Sequence, residues 1–145
     1  MKKLNVFKLV LTISVILLLL VTMTSCGSGS ISSIARKYAK ETMSFNFDEA
    51  KKYVSKDKIA LYDDAKKKYS TEQAIDFTRG LVLILEDARF TVADKKISED
   101  GTAAEVTVRI SKTNSTFNDR VVSLVKENGK WKVNNENIDL ILFGR

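Results

Sequence analysis

The chain has 145 residues, with 24 Lys and Arg against 18 Asp and Glu, one cysteine and no histidine. A single thiol can close no internal disulfide, and the missing imidazole removes the commonest general base and metal ligand. Three of the basic residues, Lys2, Lys3 and Lys8, stand at the very start; without them 21 bases face 18 acids, a net +3 that gives little support to nucleic-acid binding.

Those three lysines precede Leu9 to Met23, an uncharged run of mostly Leu, Val and Ile, which is the layout of an export signal. As a helix the run would reach roughly 22 Å, short of the roughly 30 Å hydrocarbon core, so a cleaved address is expected rather than a membrane span. Met23-Thr24-Ser25-Cys26 resembles the lipobox of bacterial lipoproteins, whose cysteine is acylated and becomes the new N-terminus. Met23 departs from the usual Leu, and Ser25 from the frequent Ala or Gly. The resemblance implies cleavage between Ser25 and Cys26, removal of residues 1–25, and a lipid anchor on the extracytoplasmic face of the cell membrane. Ordinary signal cleavage among Gly27, Ser28, Gly29 and Ser30 is the alternative. At about 0.8 kcal/mol per buried methylene, two or three acyl chains anchor a protein stably where one does not. Residues 26–33 then form the lipidated cysteine and a flexible Gly/Ser tether spanning about 15 Å, and residues 34–145 one domain.

Ile31, Ile34, Ala35, Tyr38, Thr42 and Phe45 recur at helical spacing opposite Arg36, Lys37, Lys40 and Glu41, which predicts a first helix. Asp48 is expected to cap a short helix through Val54, and Ser55 another carrying Ile59, Tyr62 and Ala65 inward. The run Lys66-Lys67-Lys68 and the pair Asp63-Asp64 read as wet helix faces, the lysines with a weak attraction for anionic lipid. Ser70-Thr71-Glu72-Gln73 has capping-box spacing and opens a further helix with Ala74, Phe77, Thr78, Leu81 and Leu85 on its inner stripe. Leu81 to Leu85 is apolar on every side, either a deeply covered helix end or an early strand, and Gly80 blurs the boundary.

From Ala88 the period changes to two. Ala104, Val106, Val108 and Ile110 alternate with Glu105, Thr107 and Arg109, as in a strand with one wet face. A two-residue turn at Asp100-Gly101 would set Lys95 opposite Val106 and leave Phe90 and Val92 wet. A three-residue loop, Glu99-Asp100-Gly101 with Gly101 left-handed, pairs Val92 with Val108 and Phe90 with Ile110, and burial favours it. Ser111 to Ser115 reads as a polar connection; Asn114-Ser115-Thr116 matches a glycosylation acceptor but is read as loop. Asn128-Gly129 is a strong hairpin turn that sets Lys126 opposite Trp131 and Leu124 opposite Val133, with the Lys126 stem over the Trp131 ring. Ile138 to Phe143 is apolar enough to extend the sheet. The fold class expected is α+β, with N-terminal helices on one face of a curved antiparallel sheet of about four strands.

Phe47-Asp48-Glu49-Ala50-Lys51-Lys52-Tyr53-Val54-Ser55, Ala103-Ala104-Glu105-Val106-Thr107-Val108 and Leu124 through Val133, with its Asn128-Gly129 turn and Trp131, resemble small bacterial lipoproteins of unknown function. Those proteins carry a cystatin-like, nuclear-transport-factor-two-like domain. The resemblance covers about residues 34 to 135 and implies a sheet wrapped around a helix into a cone with one open end. It implies no reaction, because that fold hosts enzymes and binders alike. Enzymes of this architecture use a cavity Asp or His with Tyr partners. Here Asp76 with Tyr62 is the conceivable pair for a small-molecule lyase or isomerase. No catalytic motif, cofactor or metal-ligand spacing is present. The leading expectation is a non-catalytic, membrane-tethered binding or interaction domain, with a candidate pocket at the cone mouth lined by Tyr62, Phe77 and Trp131. Its partner would be an envelope protein or a small ligand; a structural oligomer built sheet to sheet is the third reading.

Overall fold

The structure, a computed structural model, describes residues 29–113, 115–116 and 119–143. The expected signal run, Ser25, Cys26, residues 27–28 of the expected tether and Asn114 lie outside the described residues; the tether is shorter than expected, since Ile31 to Ser33 already belong to the first helix, with Ser30 at its N-cap. Helix α1 (Ile31–Met43) leads to the one-turn α2 (Phe47–Ala50), a 3-10 turn (Lys56–Lys58), α3 (Ile59–Tyr69) and α4 (Glu72–Leu85). Strands β1 (Arg89–Ile97), β2 (Ala103–Lys112), β3 (Ser115–Thr116), β4 (Arg120–Glu127) and β5 (Lys130–Val133) follow, and α5 (Ile138–Phe143) closes the chain. The four longer strands pair antiparallel in the order β1-β2-β4-β5, with β3 folded back on β2. The α+β architecture therefore matches the expected one, with helices laid against one antiparallel sheet.

α1 is the core helix because its apolar stripe is unbroken. Ile34, Ala35, Tyr38, Ala39, Thr42 and Met43 are buried, and the helix touches β1, β2, β4 and β5. From the sheet, Ala104, Val106, Val108, Ile110, Val122, Leu124 and Val133 meet it. Each is an alternate residue of its strand, so one pleat face carries the buried apolar side chains. α1 ends in a Schellman motif: Phe45 N–H donates to the Thr42 carbonyl (3.0 Å) and Asn46 N–H to that of Glu41 (2.9 Å). The left-handed position usually given to glycine is held by Phe45, at φ 56°.

Several expectations need correction. Asp48 does not cap a helix running to Val54: α2 is a single turn with Asn46 at its N-cap, and the Asp48 carboxylate binds Lys51 (3.0 Å) and Lys66 (2.6 Å) instead. Val54 leaves the helix because its backbone is claimed by the sheet. Ser55 N–H donates to Val133 O and Val133 N–H to Tyr53 O, a parallel bridge covering the outer edge of β5. Ser55 makes no side-chain cap; its hydroxyl donates to Asn134. Ile59 remains exposed, while Tyr62 and Ala65 are buried as expected. At Ser70-Thr71 the helix starts on time, but both hydroxyls donate backward to the α3 carbonyls of Lys67 and Lys68 rather than forward as a capping box. Leu81 to Leu85 is helix, yet not deeply covered.

In the first hairpin both competing registers occur. Phe90 faces Ile110 and Val92 faces Val108, but a bulge at Ala93 shifts the strand, so that Lys95 faces Val106 and Ile97 faces Ala104. The turn is accordingly one residue longer than expected: Ser98 pairs with Ala103 around Glu99 to Thr102, with Gly101 left-handed at φ 68°. The bulge returns Phe90 and Val92 to the core face. The polar connection after Ser111 is shorter than expected, since β2 runs to Lys112 and Ser115–Thr116 pairs back on it. Asn128-Gly129 turns the second hairpin as predicted, both residues at positive φ, with Leu124 opposite Val133 and Lys126 opposite Trp131. Ile138 to Phe143 does not extend the sheet. It forms α5, whose Ile138, Ile141 and Leu142 are buried against α1, α3 and β4.

Candidate functional site

The residues proposed for a cone mouth do not converge. Tyr62 is fully buried, and its hydroxyl shares a 2.6 Å hydrogen bond with that of Tyr38, rings edge to face at 6.1 Å. Burial pushes the Tyr38 phenol up to about 12 and Tyr62 still further, so both stay neutral and neither can serve as a base. Asp76 is 91% exposed and faces Arg79 at 3.6 Å. A solvated carboxylate and a sealed phenol share no cavity wall, and the Asp76–Tyr62 pair does not form. Phe77 is half-exposed and touches only the rim of the core, through Phe143 at 6.0 Å. Trp131 is half-buried at the opposite hairpin, with the Lys126 ammonium 5.7 Å from its ring centre as the sequence suggested.

Three surface features stand where a site could be. The first is a groove of about 340 Å³ between α3 and α5, at whose wall Tyr69 donates to Asp139 (2.8 Å) and Lys68 approaches the same carboxylate (3.3 Å). The Tyr69 bond, then Lys68, holds the Asp139 carboxyl below its usual value, so it is ionised and already engaged. It ties α5 to α3. Sequence reasoning missed this contact, since nothing local relates residues 70 positions apart.

The second is α4. Among the described residues none of its side chains is fully buried, and Ile75, Phe77, Val82, Leu83 and Ile84 are exposed, Leu83 to 60%. The expected inner stripe is only half-covered, because α4 leans mainly on α3 and α1 and meets the sheet through Lys112, which donates to the Ile84 carbonyl (3.4 Å). An apolar helix face of this kind is a recognised mark of an interaction surface.

The third is a groove of about 210 Å³ between the first turns of α1 and the β4–β5 hairpin, where lysines surround Tyr53 and Trp131. Of the residues there, sequence reasoning singled out Trp131 alone. No group of three or more His, Cys, Asp or Glu side chains among the described residues could hold a metal.

No protein-family model matches the chain, and no curated protein is similar to it. Among solved structures it is similar to a Campylobacter jejuni protein described as a candidate NTF2-like transpeptidase. The identity is 18% and the TM-score 0.49, over 70% of this chain and 94% of that one. At that distance the likeness assigns neither activity nor substrate. Among the described residues no helix is long and apolar enough to cross a membrane.

Proposed function

We propose that the chain is an extracytoplasmic lipoprotein, anchored to the cell membrane through Cys26, whose cystatin-like domain is a non-catalytic binding or interaction module. The observation that carries the second half is the surface of α4: Phe77, Leu83 and Ile84 stand about half exposed or more, while the aromatic and aliphatic interior is closed around the Tyr38–Tyr62 pair. Apolar area left in water costs roughly 25 cal/mol per Å², a cost that a protein partner relieves. The lyase or isomerase alternative loses support, because the Asp76 carboxylate is solvated beside Arg79 while the Tyr62 hydroxyl is sealed against Tyr38, so the two share no substrate site.

The test uses intact cells. A photo-crosslinking side chain at Leu83 should trap one discrete envelope protein, whereas the same group at Lys67, 81% exposed on α3, should trap none. No adduct at Leu83, or equal adducts at both positions, would overturn the interaction reading. In parallel, Cys26→Ser should abolish lipid labelling and move the protein out of the membrane fraction; persistence there would mean that the apolar run is an uncleaved anchor.

A further inference from the structure

The groove at the tether end of the domain differs in charge from the rest of the surface. Lys37, Lys52, Lys130 and Lys132 surround the rings of Tyr53 and Trp131, and no carboxylate lines it. Lys52 is matched by Glu49 at 2.6 Å, and Lys132 donates to the Lys52 carbonyl at 3.0 Å. Lys37 and Lys130 form no ion pair within 4.0 Å among the described residues, although Glu127 stands opposite Lys130 across the hairpin and Glu41 lies one helical turn beyond Lys37. The lysine run on α3 is the opposite case. Lys66 pairs with Asp48, Lys67 approaches Asp64 at 3.9 Å and Lys68 pairs with Asp139, so its charge is largely answered within the domain. The sequence presents the triplet as the basic patch; the fold neutralises it and assembles a dispersed one elsewhere.

Position adds to charge. Gly29 lines the groove, and α1 begins at Ile31 with the Ser30 hydroxyl accepting from Ser33 N–H, so only a few residues in sequence separate Cys26 from α1. The three residues from Cys26 to Gly29 span at most about 11 Å when extended. That is comparable to the Debye length of about 8 Å at physiological salt, within which a charged surface is felt. Tyr and Trp rings prefer the membrane–water interface, and lysines extend from it toward headgroups.

We propose that this groove is a seat for anionic phospholipid headgroups, so that the anchored domain rests with its tether end against the membrane instead of swinging from it. The proposal rests on the lipid-anchor reading of Cys26. The groove, about 210 Å³ in volume, can admit a headgroup phosphate among its lysines. Its consequence for the interaction reading is orientation: a seated domain holds α4 in a fixed attitude to the bilayer.

Trp131 is the chain's single tryptophan and so reports on the groove directly. The lipidated protein is reconstituted into vesicles of phosphatidylcholine alone or mixed with phosphatidylglycerol, and acrylamide quenching of Trp131 is measured. Quenching should fall at least about twofold in the anionic vesicles and recover at high salt, as each lysine near such a surface strengthens attraction about fivefold. Lys37→Glu with Lys130→Glu should return it to the phosphatidylcholine level, and Lys37→Gln with Lys130→Gln should do so in part. Lys67→Glu should change nothing. Equal quenching in both vesicle types, or an equal effect of Lys67→Glu, would overturn the seat; so would a Trp131 response to inorganic phosphate without vesicles, which would assign a soluble anion. Acylation of Cys26 is read separately from the mass of the N-terminal peptide. An unmodified Cys26 sinks the anchor reading alone, and the same comparison with the unanchored chain added to vesicles at higher lipid concentration then decides the groove.

Discussion

Two phenols at the centre of the domain show how residue-scale chemistry fixes a fold without serving a reaction. The Tyr38 and Tyr62 hydroxyls are removed from water and satisfy one another at 2.6 Å. Removing one partner leaves the other buried and unpaired, at a cost of about 1–3 kcal/mol, whereas removing both leaves two rings of nearly the same shape and neither phenol orphaned. Tyr38→Phe and Tyr62→Phe should therefore each lower stability by about 1–3 kcal/mol, and the double variant should cost less than their sum. Urea denaturation of the three variants checks it; strict additivity would mean that the bond contributes nothing. The sequence showed both tyrosines on inward stripes, which is why burial was legible. Their pairing was not, because two helical periods 24 residues apart say nothing about relative height. Phe45 is a similar case: the left-handed helix end it holds is usually marked by glycine, and here the ring is retained for its contacts with Phe47 and Tyr69, at 6.1 and 5.4 Å.

At the scale of elements, legibility followed the length of the pattern. α1 and β2 carry long uninterrupted periods, and Asn128-Gly129 allows one turn geometry, so these appeared as expected. β1 did not, because a bulge is invisible to a strict period of two: Ala93 absorbs one residue, and the register near the turn is the one that burial of Val92 and Phe90 argued against. α5 was misassigned because a six-residue, mostly apolar run fits strand or helix equally; what decides is Arg120, whose guanidinium, buried on the inner face of β4, donates to the α5 carbonyls of Ile141 (2.7 Å) and Leu142 (3.5 Å). The hairpin loop has its own lock. Ser98 Oγ, followed by the Thr102 N–H and hydroxyl, donates to the Asp100 carboxylate and holds it down to about 2. A carboxyl depressed on folding contributes stability that is fully present above its unfolded value near 4 and is lost as pH falls through about 2. Asp100→Asn should thus lower the melting temperature at neutral pH, and its deficit against the parent protein should shrink as pH drops from about 4 to about 2. A deficit that stays constant across that window would show that the ionised carboxylate is not what holds the loop.

For the whole molecule the question is whether α4 belongs to the cooperative core. α1, the sheet and α5 are bound by shared burial, while α4 is attached through α3, a limited contact with α1, the Phe77–Phe143 ring contact, the half-buried Leu85 and the Lys112 bond to the Ile84 carbonyl. Elements with few buried apolar contacts open below the global unfolding free energy. Gly80 lies inside this helix, and a Cβ added there would meet nothing within 4 Å, so the glycine is not required by packing and weakens the helix by about 1 kcal/mol relative to alanine. Gly80→Ala should consequently slow amide exchange in α4 about fivefold, with β2 and α1 amides unchanged, because only the local opening is made costlier. If α4 instead opens only with the whole domain, the same substitution would slow exchange in β2 and α1 by the same factor. That outcome would make α4 a rigid part of the core, and its exposed Leu83 and Ile84 would then form a preformed face rather than one that adjusts to a partner. The two cases also separate in crosslinking from Leu83: a face that must adjust loses adduct yield when Gly80→Ala stiffens it, and a preformed face does not.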